Sequence, residues 1–528
     1  MHYSLYKKER LNEPYDAVMI GSGIGGLSAA ALLAKAGKKV LVLERHYMAG
    51  GFTHTFQRKG YEWDVGVHYI GEVHRKNSAL RKIFDYLTDG ALEWAYMGDV
   101  YDKIVFNDEI YEFVSGTQAF KERLYRYFPE EKSAIDRYID LVFQATGATK
   151  NFFMEKALPP IAATLAYPFL TSKFLKFSDQ TTLEVVRSLT SNRKLIGVLT
   201  AQYGDYGLPP AESSFAVHAM IAKHYLDGGN YPVGGSGQMG ATIAPVIEKA
   251  GGKILVKAEV REILVEGHQA VGVRLTNGDE IRAPLILSDA GVMNTFGRLL
   301  TPELQENFSL NDKLKTVKPS LSHLCIYIGI KESSKDLGLG KTNYWIYPDY
   351  DHDQNIARYL KDPSSPLPVV YVSFPSAKDP TWEERFPGRS TIEVIGFTPY
   401  EWFARWEGTP WGKRGADYEA YKASLTERLM EQVYRHVPQI KGKIDHMELS
   451  TPLSTRHFCN YQHGEIYGLE HTPERFRMKW LRPHTPIKNL FLTGQDIVTD
   501  GIGGALFGGV LTASAVLRKN VMKEIFAR

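Results

Sequence analysis

Cysteine is scarce: Cys325 and Cys459 are the only two in 528 residues. Without a Cys-x-x-Cys there is no ligand set for structural zinc, an iron–sulfur cluster or a redox dithiol, so no metal is expected, and low cysteine usage fits a reducing compartment. Long apolar runs are missing too; nothing reaches the roughly 18 consecutive apolar residues that a membrane-spanning helix needs. The N-terminal stretch "MHYSLYKKERLNEP" has no apolar signal core. The expectation is a cytoplasmic protein, or one held peripherally on the cytoplasmic membrane face. The nearest apolar candidate, "ALPPIAATLAYPFL" (157–170), is short and carries Pro159, Pro160 and Pro168, with Lys173 and Lys176 beyond it. It reads either as a helix lying on an anionic membrane or as a buried helix of a substrate domain. A dominant charge is also absent: the formal net charge is +3 with no long Lys/Arg tract, which excludes a nucleic-acid footprint. No Gly-x-Ser-x-Gly elbow exists, so serine hydrolase chemistry is unsupported. His218 and His224 are not at the i, i+4 spacing of helical metal ligands and read as structural.

What is present is glycine in a particular arrangement. "VMIGSGIGG" (18–26) and "YPVGGSGQMG" (231–240) both contain Gly-x-Gly-x-x-Gly. The first lies between two short buried strands, "YDAVMI" and "KKVLVLE", with the Ala/Leu-rich helix "LSAAALLAKAG" between them. That is a strand–turn–helix–strand unit of dinucleotide-binding type. Gly21 allows the tight turn, Gly23 lets backbone approach a pyrophosphate beside Ser22, and Gly26 lets helix pack on strand. The helix N-terminus presents free N–H groups to phosphate. Glu44 closes the second strand, where a carboxylate can accept both hydroxyls of an adenosine ribose and would repel a 2′-phosphate.

After Glu44 the chain does not continue as a simple NAD domain. "ERHYMAGGFTHTF" places Arg45, Gly50 and Gly51 just past the strand, and "GYEWDVGVHYIG" (60–71) follows with a small-residue turn around Asp64, Gly66 and Val67. Extended backbone there can run alongside a longer cofactor. Near the other end, "NLFLTGQDIVTDGIGGALFGGVLTASAVL" (489–517) reads as strand, turn and helix. Asp496 follows Gly494, and the helix N-terminus near Gly503 and Gly504 can face an electron-rich flavin edge. The second glycine pattern follows a Gly/Pro turn region rather than a central parallel strand. "GKILVKAEVREILVE" (252–266) then reads as one alternating strand, pairing with 270–290, which itself carries an Asn-Gly hairpin signal in "TNGDE". One nucleotide cofactor is expected, not two.

These pieces resemble the FAD-dependent amine oxidase and phytoene desaturase superfamily. Longer stretches, including "WDVGVHYIGEV", "QYGDYGLPPAESSFAVHA", "EWFARWEGTPWGKRGADYEAYK" and "GQDIVTDGIGGAL", look like retinol saturases and the related carotenoid isomerases. The resemblance runs from about residue 15 to 520. It implies an α/β fold: a Rossmann-type FAD-binding domain with an inserted α+β substrate domain. The FAD-binding part would comprise 15–73, 228–295 and 485–520. The substrate-binding part, with membrane-docking helices, would comprise 74–227 and 296–484. It also implies that Gly235 lies close to the flavin and that Val260 touches the adenine through its backbone. The implied activity is reduction of a carbon–carbon double bond in a long apolar polyene (a retinoid, carotenoid or other lipid) by hydride transfer from reduced FAD. The alternatives are a cis–trans isomerase or desaturase on the same fold, or a non-catalytic lipid binder like the GDP-dissociation inhibitors. The electron donor or acceptor is not indicated. His68 and Tyr69, after the Gly66 turn, are the candidates for a proton donor or for placing substrate, with Tyr231 and Gln495 as weaker ones.

Overall fold

Six short strands form one parallel sheet in the order Ser4–Leu5, Lys253–Val256, Val40–Glu44, Ala17–Ile20, Ile286–Ser288, Leu490–Leu492. The computed structural model that shows this describes residues 3–11 and 14–527; residues 1, 2, 12 and 13 of the N-terminal stretch lie outside it, as does 528. The central strands are apolar throughout because both faces are covered. Alternate residues serve different layers. Ala17, Met19, Val40 and Val42 pack with the helices Ile24–Lys35, Gln238–Lys249 and Gly501–Leu517. Val18, Ile20, Leu41 and Leu43 pack with the meander Val260–Glu266, Gln269–Leu275, Glu280–Arg282.

The single strand expected over 252–266 is two. Lys253–Val256 joins the parallel sheet, and Val260–Glu266 starts the meander. Lys257, at φ +57°, breaks the run, and the Ala258 N–H bonds Glu44 O instead. The Asn-Gly hairpin at 277–278 is present. The region before Gly235 also contains more order than a turn. Gly229–Pro232 is a fully buried strand, antiparallel to both Ile70–Gly71 and Trp94–Tyr96.

A second, seven-stranded sheet runs Ile444–Ser450, Ser322–Ile330, Ser390–Thr398, Val370–Ser373, Asn343–Tyr347, Val100–Phe106, Glu109–Val114. One face is covered by the helix Ala416–His436 through Leu425, Leu429 and Val433. The other face carries Trp345, Tyr371 and Phe397 toward a layer of helices that includes Lys132–Ala157 and Phe215–Tyr225. The helix Lys132–Ala157 stops where Pro159 and Pro160 follow, and Pro160 opens the next helix, Pro160–Ser178.

Candidate functional site

A cavity of about 1870 Å³ lies where the parallel sheet, the second sheet and the helical layer meet. It exceeds the roughly 300–1,000 Å³ of a pocket for one small ligand. One arm starts at the glycine loop. Gly21 adopts φ +92°, and the helix Ile24–Lys35 begins at Gly23, an N-cap residue with no side chain to cap it.

Glu44 organises this arm from beneath. Its Oε2 accepts from Ser22 N at 2.9 Å and Ser22 Oγ at 2.6 Å, and its Oε1 from His46 N at 2.7 Å. Ser22 Oγ in turn accepts from Gly50 N at 3.1 Å. The acid expected to meet a ribose therefore also ties the first glycine loop to the second glycine pair. Arg45 donates to the carbonyls of His457 and Phe458 and pairs with Glu259, joining a distant segment to the same end of the cavity.

The sequence reading missed Asp289, just past the strand Ile286–Ser288. A Cβ at Gly23 would come within 2.5 Å of its Oδ2, and one at Gly25 within 2.7 Å of its Oδ1. Its carboxyl thus occupies the space that the glycines leave open. Burial pushes it up to about 7, opposed by the N–H groups of Gly26 and Gly23.

Gly21, Ser22, Gly23, Glu44, Arg45, Gly51, Gly66, Val67, His68, Tyr69, Val260, Gln495, Asp496, Gly503 and Gly504 all line the cavity. Five expected cofactor residues stand outside that lining. Gly26 and Gly494 make room for close packing against Gly21 O and Asp289. Gly50 lies behind Ser22. Asp64 is buried, accepting from Tyr231 OH at 2.5 Å and Ser236 N at 3.0 Å. Gly235 packs against Glu62 and Thr55 of the hairpin Thr55–Arg58/Tyr61–Asp64. The second glycine loop, with Tyr231, is therefore a support for Asp64. His218 is held between Tyr138 and Tyr206, whereas His224 lines the cavity and accepts from Gly71 N.

At the far end, the helix Gly501–Leu517 starts uncapped, with Gly501, Ile502, Gly503 and Gly504 on the cavity. Asp496 accepts from Val292 N through Oδ2 at 2.7 Å, while its Oδ1 is buried without a partner. Asp500, at the N-cap position, is 4% exposed, and both its oxygens lack a hydrogen bond, with Oδ1 3.3 Å from His471 Nε2. Burial pushes its carboxyl up to about 7. Two helix starts and three buried acceptor atoms without a hydrogen bond around one elongated cavity suit a cofactor with phosphates, hydroxyls and an electron-rich ring, as FAD has. No group of three or more His, Cys, Asp or Glu able to hold a metal exists among the described residues.

His68 and Tyr69 are each fastened to a buried carboxyl. His68 Nδ1 lies 2.7 Å from Glu393 Oε2, and Tyr69 OH donates to Asp102 at 2.9 Å while its ring stacks on Tyr225. Burial drives His68 down to about 4, so the free imidazolium that would make it an acid by itself at neutral pH is not formed.

The family model for flavin containing amine oxidoreductase matches residues 24–380. The all-trans-retinol 13,14-reductase of Danio rerio is 39% identical over 98% of this chain and 88% of its own length. Prolycopene isomerase 1 of an Oncidium hybrid cultivar is 26% identical over 96% of this chain and 84% of its own. A putrescine oxidase triple mutant superimposes with a TM-score of 0.62 at 16% identity, covering 96% of this chain and 99% of that one, so the architecture is that of the flavin amine oxidases. The chain belongs to the flavin containing amine oxidoreductase family, and FAD is its cofactor.

Proposed function

We propose that this protein reduces a carbon–carbon double bond of a long apolar polyene of the retinoid or carotenoid class. The observation that carries the reading is a cavity that joins the glycine loop to a wall bearing Trp345, Tyr371, Phe397, Tyr467 and Phe153. Bound FAD supplies the electron pair. Gly21, Ser22, Gly23 and Glu44 would hold its phosphates and ribose, Arg45 and Val260 its adenine end, and Gly51, Gly66, Val67, Asp496, Gly503 and Gly504 the remainder. Gly26, Gly50, Asp64, Gly235 and Gly494 would shape that surface from behind. Residues 15–73, 228–295 and 485–520 would form the FAD-binding part, and 74–227 with 296–484 the substrate part. The aromatic walls exclude water and orient an extended apolar chain.

The purified protein should be yellow, with a flavin spectrum. Dithionite-reduced holoenzyme, mixed anaerobically with all-trans-retinol, should yield a product heavier by two hydrogens. A new isomer of unchanged mass would instead establish the isomerase reading, which the match to a prolycopene isomerase favours. A preparation that stays colourless with added FAD would leave only lipid binding.

The protein would meet its substrate at a membrane surface. No helix among the described residues is long and apolar enough to cross a membrane. The helix Pro160–Ser178, however, exposes Ile161 at 81%, Leu165 at 71% and Phe169 at 82%, along one face at intervals of four. Lys173 and Lys176 are exposed on the same helix, and Leu158 and Pro159, just before it, line the cavity. Burying two such side chains contributes about 3–5 kcal/mol. Leu165→Glu with Phe169→Glu should therefore cut co-sedimentation with phosphatidylglycerol-containing vesicles at least about tenfold, leaving flavin content unchanged. Equal sedimentation of parent and variant would remove this face from consideration.

A further inference from the structure

Behind His68 lies a set of buried polar groups that the cofactor reading does not use. Glu393, fully buried on the strand Ser390–Thr398, faces His68 with Oε2 and accepts from Asp64 N at 2.8 Å with Oε1. Lys378, also fully buried, donates to His68 O at 2.8 Å, Asn343 Oδ1 at 2.5 Å and Ser373 Oγ at 2.7 Å. Asn343 donates to Asp102, the acceptor of Tyr69 OH. Asp64, Tyr231, Lys378, Cys325, Tyr327, His323 and Tyr371, whose ring lies 5.5 Å from that of His68, are the other titratable groups around the pair. His68 lines the cavity, and with Nδ1 committed to Glu393, its Nε2 has no partner among the described residues.

We infer that Glu393 is the proton reservoir for the cavity and that His68 carries its proton to the substrate. This rests on the reductase reading above. Burial pushes Glu393 up to about 8 and His68 down to about 4, so at pH 7 the proton sits on Glu393 and the imidazole is neutral. Glu393 then donates to Nδ1, which fixes the tautomer with hydrogen on Nε2. In the transfer, the Nε2–H bond breaks as a substrate carbon gains that proton. The Glu393 O–H bond breaks as Nδ1 gains its proton. Histidine ends neutral in the other tautomer, and Glu393 ends as a carboxylate beside Lys378, to be reprotonated from water. The reduced flavin provides the electron pair and the second hydrogen, so the double bond gains two hydrogens overall.

Glu393→Gln tests this, because the amide can still donate to Nδ1 but has no proton to release. Turnover of flavin-loaded enzyme should fall about 100-fold or more, within the usual range for a general acid, with KM and flavin content unchanged. Parent activity should decline as pH rises through about 8, and that limb should vanish in the variant. Infrared difference spectra at pH 7 should show a protonated carboxyl in the parent, with or without flavin, that Glu393→Gln lacks. If Glu393→Gln does not fold, His68→Asn should keep the carboxyl band and lose turnover to the same extent. Parent-like turnover in either variant, or no protonated carboxyl assignable to Glu393, overturns the inference. A carboxyl band in a protein that reduces no polyene would overturn the reductase reading, and with it the delivery step, while leaving the protonated Glu393 in place.

Discussion

Gly509→Leu should give no folded holoprotein, and Gly509→Ala should lower stability by about 1–3 kcal/mol or more. A Cβ at this position would run into Ser28 Oγ and lie 2.6 Å from Gly25 O and 2.8 Å from Ala29 N. The helices Ile24–Lys35 and Gly501–Leu517 cross there backbone against backbone, with Ser28 Oγ bridging Gly25 O at 3.0 Å and Leu506 O at 3.2 Å. Gly508 packs against Gly494 in the same way. The crossing does more than fill the core. It brings the starts of both helices to one cavity, so a shift of either displaces the residues that line it there. Interiors this dense cannot absorb an extra methyl without moving backbone. Thermal unfolding of the apoprotein measures the loss, and flavin fluorescence measures the coupled loss of binding. Combining Ser28→Gly with Gly509→Ala removes the nearest obstacle but not Gly25 O, so it should restore part of the Tm. An alanine variant as stable as the parent would mean that the helices are not in backbone contact.

Local pattern carried the glycine-loop unit, because its strands, helix and stop are contiguous and their signals agree. The assignments 15–20, 27–37 and 38–44 correspond to Ala17–Ile20, Ile24–Lys35 and Val40–Glu44. Reading was poorer where a long-range partner decides the outcome. Residues 252–266 look like one strand, yet two different sheets claim its halves. Gly229–Pro232 has turn composition but becomes a strand because Ile70–Gly71 and Trp94–Tyr96 flank it. The site shows the same division. His68 could be picked from its place after the Gly66 turn, whereas Glu393 and Lys378 come from distant elements with nothing local to mark them. Asp289 and Asp500 sit next to recognised motifs, but an aspartate beside a helix start reads as an ordinary cap. Only the geometry shows that Asp500 does not cap and that Asp289 fills the space beside the glycines.

Glu44→Arg should abolish flavin retention while leaving a folded apoprotein. The carboxylate serves three donors at once: Ser22 N, Ser22 Oγ and His46 N. Arginine has no acceptor, so each buried donor that loses its partner costs about 1–3 kcal/mol. Ser22 then has no reason to hold Oγ toward Gly50 N, and the two glycine segments lose their register. A second cation would also stand next to Arg45, whose partners Glu259, His457 and Phe458 close the same end of the cavity. The damage is confined to the loop edge, since the strand Val40–Glu44 ends at this residue and its core side chains are untouched. Far-ultraviolet circular dichroism should therefore match the parent, with bound flavin below about a tenth of it. Glu44→Gln separates loop architecture from charge. It keeps one acceptor oxygen, so it should bind FAD about tenfold more weakly, or about 1.4 kcal/mol. Full occupancy in Glu44→Arg would move the cofactor away from the first glycine loop altogether.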